Sequence, residues 1–199
     1  MVSLMKHLFF LALMIAGYSG FAQQHQVGLR LGDPYGISFK TALSQQYAAE
    51  VILGRGSPNS SQYYRRTFEQ SKPLSSAIYD GQQVSGAFSL QARLSYEESL
   101  NGEFDIVEGN LKGFAGIGLQ LRSVALSYFY HTPNPGDIPL GRVEERSDID
   151  FGPEGFIGAS YLFEDLPVVV FAEMGLFMEL INRLGHLKVQ GALGARYRF

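Results

Sequence analysis

The fold is decided by the chain's last thirteen residues, Leu187-Lys-Val-Gln-Gly-Ala-Leu-Gly-Ala-Arg-Tyr-Arg-Phe199. Taken in steps of two, Leu187, Val189, Gly191, Leu193, Ala195, Tyr197 and Phe199 share one face, while Lys188, Gln190, Ala192, Gly194, Arg196 and Arg198 share the other. A strand places alternate side chains on opposite faces, so this stretch has an oily side and a wet side. A tilted strand crosses the hydrocarbon of a bilayer in roughly 9–11 residues, and aromatic residues gather where it leaves the lipid. The pattern therefore predicts a membrane-spanning strand of a β-barrel.

The same alternation recurs upstream. Val27, Leu29 and Leu31 form a first strand, and Asp33-Pro34 interrupts it as a turn, because proline donates no hydrogen bond. Tyr35 to Ala42 is a second strand, Ser44-Gln45-Gln46 a tight turn, and Tyr47 to Leu53 a third strand. Val84 to Tyr96 places Val84, Gly86, Phe88, Leu90, Ala92, Leu94 and Tyr96 on one face opposite Ser85, Ser89, Gln91, Arg93 and Ser95. An acidic connection over 97–110 leads to a strand from Leu111 to Arg122, and Gly155 to Phe163 is a further one before the turn Glu164-Asp165-Leu166-Pro167. Val168 to Leu180 also fits an amphipathic helix over Met174 to Leu184, but it continues the Val168-Val169-Val170-Phe171 run without a cap, which favours strand. Asn182 to Gly185 turns into the terminal strand.

These segments number eight, and parity supports the count. Outer-membrane barrels keep short turns on the periplasmic side, where both termini lie, and long loops outside. With eight strands the irregular stretches 55–83 and 123–153 fall outside together, and Val124 to Tyr130, at the start of the second, is aromatic enough to extend its strand beyond the membrane. The expectation is an all-β, eight-stranded antiparallel up-and-down transmembrane β-barrel over residues 23–199, preceded by a signal peptide over residues 1–22. Lys6 and His7, the apolar run Leu8 to Ala16 and the small residues Gly20 and Ala22 carry the latter reading, with cleavage between Ala22 and Gln23.

Composition agrees. Lys and Arg total 16 against 19 Asp and Glu, so the surface is not that of a basic nucleic-acid binder. A mean hydropathy of +0.00 is too polar for a helical membrane protein. With no cysteine there is neither a disulfide framework nor a lipidation site.

An eight-stranded barrel has an interior that side chains just fill. The inward positions Arg30, Lys40, Glu50, Arg93, Lys112, Glu173, Glu179, Lys188 and Arg196 are expected to pair as a lumen charge network, since buried charges must be paired or wetted. Folding the last hairpin sets Glu179 opposite Lys188 and Glu173 diagonal to Arg196.

Val27-Gly-Leu-Arg-Leu-Gly, Asp150-Phe-Gly-Pro-Glu-Gly-Phe-Ile-Gly-Ala-Ser-Tyr, Phe163-Glu-Asp-Leu-Pro and Gly194-Ala-Arg-Tyr-Arg-Phe together resemble small outer-membrane β-barrels of Bacteroidota, of the eight-stranded OmpA and OmpX type. The resemblance runs over the mature chain and is closest in its last fifty residues. It implies that Tyr197 and Phe199 form the signal read by the barrel-assembly machinery, and it implies no biochemical activity.

A search for chemistry finds little. His186, Ser123, Ser127 and Glu179 at one rim could form a base, nucleophile and orienting carboxylate for hydrolysis of lipid acyl chains. His25 lies at the start of the first strand and His131 beside Pro133. Gly113-Phe-Ala-Gly-Ile-Gly lies within a strand pattern, with no helix after it to make a nucleotide loop, so its glycines relieve crowding in the lumen. Glu144, Glu145, Asp148 and Asp150 lack the spacing of a calcium loop. Asn59-Ser60-Ser61 matches a glycosylation acceptor. The reading that follows is a non-enzymatic outer-membrane barrel without cofactor or metal. Its partners are outer-membrane lipid, the assembly machinery and a surface ligand met through 55–83 and 123–153. The alternative is a barrel that handles small solutes or lipid, including an acyl hydrolase at the outer rim.

Overall fold

The computed structural model describes residues 25–133 and 141–199, so Ala22, Gln23 and the expected signal peptide lie outside the described residues. Among the described residues nine elements follow in chain order: β1 (His25–Gly32), β2 (Tyr35–Ala42), β3 (Tyr47–Arg55), α1 (Ser61–Gln70), β4 (Ile78–Ser99), β5 (Asn110–His131), β6 (Arg142–Leu162), β7 (Val168–Met178) and β8 (Leu187–Arg198). Each strand pairs antiparallel with its sequence neighbours, and β8 returns to β1 to close the ring. Closure satisfies the backbone groups that would otherwise face lipid. The seam continues to the last residue, with His25 and Phe199 exchanging backbone hydrogen bonds of 3.1 and 2.9 Å. Asp33-Pro34 lies between two separate strands, and Val168–Met178 is strand.

Every strand presents large apolar side chains outward: Leu29, Ile37, Leu53, Leu94, Ile117, Ile157, Met174 and Leu193 run round the ring, all exposed. A continuous apolar belt of this kind belongs against hydrocarbon, since soluble monomers rarely expose such a patch. Among the described residues no helix is long and apolar enough to cross a membrane. The inner face is polar: Arg30, Gln91, Gln120, Arg122, Gln190 and Arg196 are all buried.

His25 and Phe199 share one end of the barrel with the turns at 43–46, 100–109 and 163–167. At the other end are Asp33-Pro34, α1, the end of β5 at His131, the start of β6 at Arg142 and the connection 179–186.

Two expected loops are largely ordered structure. Strands β4, β5 and β6 contain 22, 22 and 21 residues, about twice what a membrane crossing needs, so they continue past the belt as a three-stranded wing. The strand extension expected over Val124 to Tyr130 is part of β5, residues 142–153 are strand as well, and 55–83 contains α1 and the start of β4. The hydrophobic phase inverts where the wing leaves the belt. In β5, Leu119 and Leu121 point out and Gln120 and Arg122 point in, but beyond them Val124, Leu126, Tyr128 and Tyr130 point in. Lipid sits outside the lower half, whereas water outside the upper half turns the apolar face inward. In β4 a register shift between Val84 and Gly86 places Val84 against the interior cluster, not on the outward face with Phe88 as the plain alternation predicts.

The cluster it joins is the only buried apolar core among the described residues: Tyr63, Tyr64 and Phe68 of α1 pack on Ala77, Ala87, Val124, Leu126, Tyr128 and Tyr130. Ser60 caps α1, its side chain accepting from the Tyr63 amide, so the Asn59-Ser60-Ser61 triplet serves as a helix start.

Candidate functional site

The site is the lumen and the mouth that α1 covers. At mid-height, β1, β4, β6 and β7 aim Arg30, Arg93, Glu154 and Glu173 at one another. Arg93 holds Glu154 with two donors, Nε at 2.6 Å and Nη2 at 3.0 Å, and reaches Glu173 with Nη1 at 2.6 Å. Arg30 Nη2 donates to the same Glu173 oxygen at 2.7 Å. Two guanidiniums against two carboxylates balance in charge, and their forked geometry fixes direction as well as distance. Toward the termini, Arg196 pairs with Glu50 and donates through Nε to Ser38 Oγ at 2.9 Å. A neutral layer completes the section, with Gln190 donating to Gln120 at 2.9 Å and Gln120 to Ser89 at 3.0 Å.

Aromatic rings fill the remaining space. The Arg196 guanidinium carbon lies 3.6 Å from the Phe171 ring centroid, and that of Arg93 lies 4.5 Å from Phe156. Each of these rings lies across from a glycine in the neighbouring strand: Phe156 opposite Gly116, Phe114 opposite Gly158 and Phe171 opposite Gly194. A Cβ added at Gly116 would stand 2.5 Å from Phe156 Cζ. Gly113 and Gly118 of the glycine-rich run also meet close neighbours, Leu100 and Arg93 with Glu154.

The mouth is built differently. The Tyr63 hydroxyl of α1 reaches down to Glu179, 2.9 Å from both carboxylate oxygens, and Glu179 also accepts from the Arg183 amide at 2.9 Å. Burial, followed by the nearby Asp150, raises the Glu179 carboxyl above its ordinary range. Asp148 is raised by burial and by Asp150. Burial, then Asp150 and Glu179, pushes the Tyr63 phenol well upward, so it remains a donor. His186, whose ring centroid lies 4.8 Å from that of Tyr63, is lowered by burial and then by Arg183.

The lumen residues named from the sequence meet partners that the sequence reading mostly did not give them. Lys188 does not meet Glu179; it pairs with Asp33 at 2.7 Å and stands beside Phe177 in the ladder. Glu179 lies beyond the end of β7, where the chain has left the ladder, and α1 supplies its partner. Glu173 lies opposite Ala192, not diagonal to Arg196, so its carboxylate is taken by Arg30 and Arg93 from across the lumen. Lys40 and Lys112 share Glu97, at 2.5 and 3.2 Å. Glu154, Glu97, Asp33 and Tyr63 were missed. Glu154 and Glu97 were legible by phase: carrying inward positions back from Phe156 and forward from Arg93 and Ser95 reaches both.

The proposed hydrolytic residues are not brought together. Ser123 faces outward beside Phe88 and Ile149, and Ser127 shares that face, whereas Glu179 points inward to Tyr63. His131 pairs with Asp80 at 2.8 Å, and His25 stacks on Phe39. Glu144, Asp148 and Asp150 follow the inner side of β6 while Glu145 faces out, and among the described residues no group of His, Cys, Asp or Glu is arranged to hold a metal. Tyr197 and Phe199 are both exposed at the end of the seam.

The N-terminal β-barrel domain of OprF from Pseudomonas aeruginosa superposes with a TM-score of 0.52 at 11% identity, covering 89% of this chain and 96% of that one. A major outer membrane protein from Thermus thermophilus gives a TM-score of 0.49 at 12% identity over 90% of this chain and 100% of that one. Ail, the attachment invasion locus protein of Yersinia pestis, gives 0.31 at 12% identity over 89% and 95%. No family model matches the chain, and no curated protein matches it. The fold is that of the eight-stranded, up-and-down outer-membrane β-barrels.

Proposed function

We propose that the protein is an integral β-barrel of the bacterial outer membrane with a closed lumen, acting structurally or in surface interaction, and that it is neither a conduit nor a lipid hydrolase. One observation carries this reading. The lumen is crossed at mid-height by the Arg30, Arg93, Glu154 and Glu173 cluster and covered at one end by α1, whose Tyr63 is bonded to Glu179. A permeating ion would have to separate fully buried pairs in a narrow, low-dielectric interior, which is costly.

The apolar belt supports residence in lipid, and the parity of the connections supports an orientation with α1 and the wing outside. The terminal and turn sequences shared with Bacteroidota barrels support that source, and export through the signal peptide ending at Ala22 is part of the same reading. The exposed Tyr197 and Phe199 would then be presented to the barrel-assembly machinery. The surface for a partner is α1 and the wing, since these replace the loops 55–83 and 123–153. Planar-bilayer recording on the pure refolded chain tests the proposal: the expected trace has no steady channel, and sustained ion-selective openings would overturn it.

A further inference from the structure

At the end of the barrel where His25 meets Phe199, the lumen opens into a partly enclosed cavity of about 200 Å³, with walls from every strand except β3. Its polar lining includes Lys40, Lys112, Arg198, Glu97, Asn110 and Ser160. Lys40 and Lys112 share the single Glu97 carboxylate, at 2.5 and 3.2 Å. Arg198 makes no ion pair among the described residues. The lining therefore holds three cations and one carboxylate.

The imbalance is not corrected deeper in the lumen. Glu50 is matched by Arg196, and Glu154 and Glu173 are matched by Arg93 and Arg30. The covered mouth at the other end is nearly balanced, with Arg122, Arg146, Arg183 and Lys188 among Asp33, Glu144, Asp148, Asp150 and Glu179. Burying like charges together is unfavourable unless a counter-charge enters, and Lys40 is only 5% exposed. The neutral groups are suited to an anion as well. Asn110 accepts from Ser99 through its amide oxygen, which leaves its NH2 as a donor, and Ser160 adds a hydroxyl. Two ammoniums, a guanidinium fork, an amide and a hydroxyl place donors on several sides of one small space, as a tetrahedral oxyanion requires. The volume is below the roughly 300–1,000 Å³ of clefts for drug-sized ligands, so the occupant is compact.

We propose that this vestibule binds a phosphate-class oxyanion, free phosphate or a phosphomonoester headgroup, through Lys112, Arg198 and Lys40, with Glu97 as an internal competitor for the same cations. The carboxylate occupies part of the cationic field, and an entering dianion shares the lysines with it. Binding weakens as salt screens the field.

Calorimetric titration of the refolded full chain in detergent micelles at low ionic strength tests the site, with inorganic phosphate in one arm and glycerol 3-phosphate in the other. One saturable site per chain is expected. Lys112→Gln and Arg198→Gln should each weaken it about tenfold, the loss of one charge-assisted contact. Glu97→Gln should tighten it, an opposite sign that a general loss of structure would not produce, and the heat-dependent gel mobility of folded barrels checks each variant. Preference for glycerol 3-phosphate assigns the site to a headgroup, and preference for inorganic phosphate assigns it to the free ion. Absence of saturable binding in the wild type, or equal affinity in wild type and both cation variants, overturns the proposal.

Discussion

The middle of the lumen and the mouth covered by α1 are both filled by buried side chains but are held by different physics. At mid-height the contacts are ion pairs placed by strand register, with Arg93 spanning Glu154 and Glu173. At the mouth, Tyr63, Tyr64 and Phe68 pack against the inner face of the wing, and the Tyr63 hydroxyl, bonded to Glu179, ties that packing to the barrel. Below, apolar surface faces lipid outside, so the interior is left to charge. Above, water surrounds the wing and the hydrophobic effect has only the interior in which to act. The barrel section should therefore fail through unpaired charge, and the cap through lost packing.

The largest effect is expected from Arg93→Ala, which leaves Glu154 without its two-donor partner and takes one of two guanidiniums from Glu173. Breaking a buried pair from one side costs about 3–5 kcal/mol, and urea unfolding of the barrel in lipid vesicles should report it. Phe68→Ala removes a ring of similar worth, about 3–5 kcal/mol, from the centre of the cap. Its damage should be confined to α1: trypsin should cut after Arg65 or Arg66 while the heat-dependent mobility of the barrel is retained. Unfolding of the whole barrel by Phe68→Ala would end the division into two regions.

Gly116→Ala asks whether register alone holds the lower section. The new methyl meets the Phe156 ring and the Leu94 carbonyl oxygen, and overpacking of this kind costs about 1–3 kcal/mol in the same urea titration. The smallest effect is the pH response of the cap. Glu179 and Asp148 have folded-state values raised above their unfolded ones, so the cap binds their protons more tightly than the open form does. Their contribution is present at low pH and is lost as pH rises from the ordinary carboxylate range through the raised values. His186 is lowered, so its contribution has the opposite sign and is lost as pH falls below about 6.5. Hydrogen exchange of the α1 amides should show the two trends partly cancelling. In Glu179→Gln the carboxyl share of the response should shrink, so protection should rise more with pH than in the wild type.

The lower section was legible because a spanning strand obeys one rule along its whole length. Leu29, Ile37, Leu94, Ile157 and Leu193 face out in the phase that simple alternation predicts, and Arg30, Lys40, Glu50, Arg93, Glu173 and Arg196 face in. The wing was not legible by that rule. Val124, Leu126, Tyr128 and Tyr130 keep the period of two with the phase reversed; their aromatic content marks an extension of the strand, but the inward turn of that apolar face is not readable from alternation. The start of α1 left a signal that alternation does not register: Ser60 as cap, then Tyr64 and Phe68 one helical turn apart.

What the amino-acid sequence determined by itself is the barrel: strand period, strand number, the inward charges from Arg30 to Arg196 that alternation reaches, and the turn at Asp33-Pro34, all set by local alternation and backbone chemistry. The tertiary structure alone decided who pairs with whom. Glu179 with Tyr63, Lys188 with Asp33 and Glu173 with both Arg30 and Arg93 are contacts across a closed lumen. Partners across that space depend on curvature and on strand ends, which no single strand encodes. The terminal stretch shows both halves of this: its oily face follows from its own sequence, but Lys188 and Arg196 acquire their partners only when the ring closes.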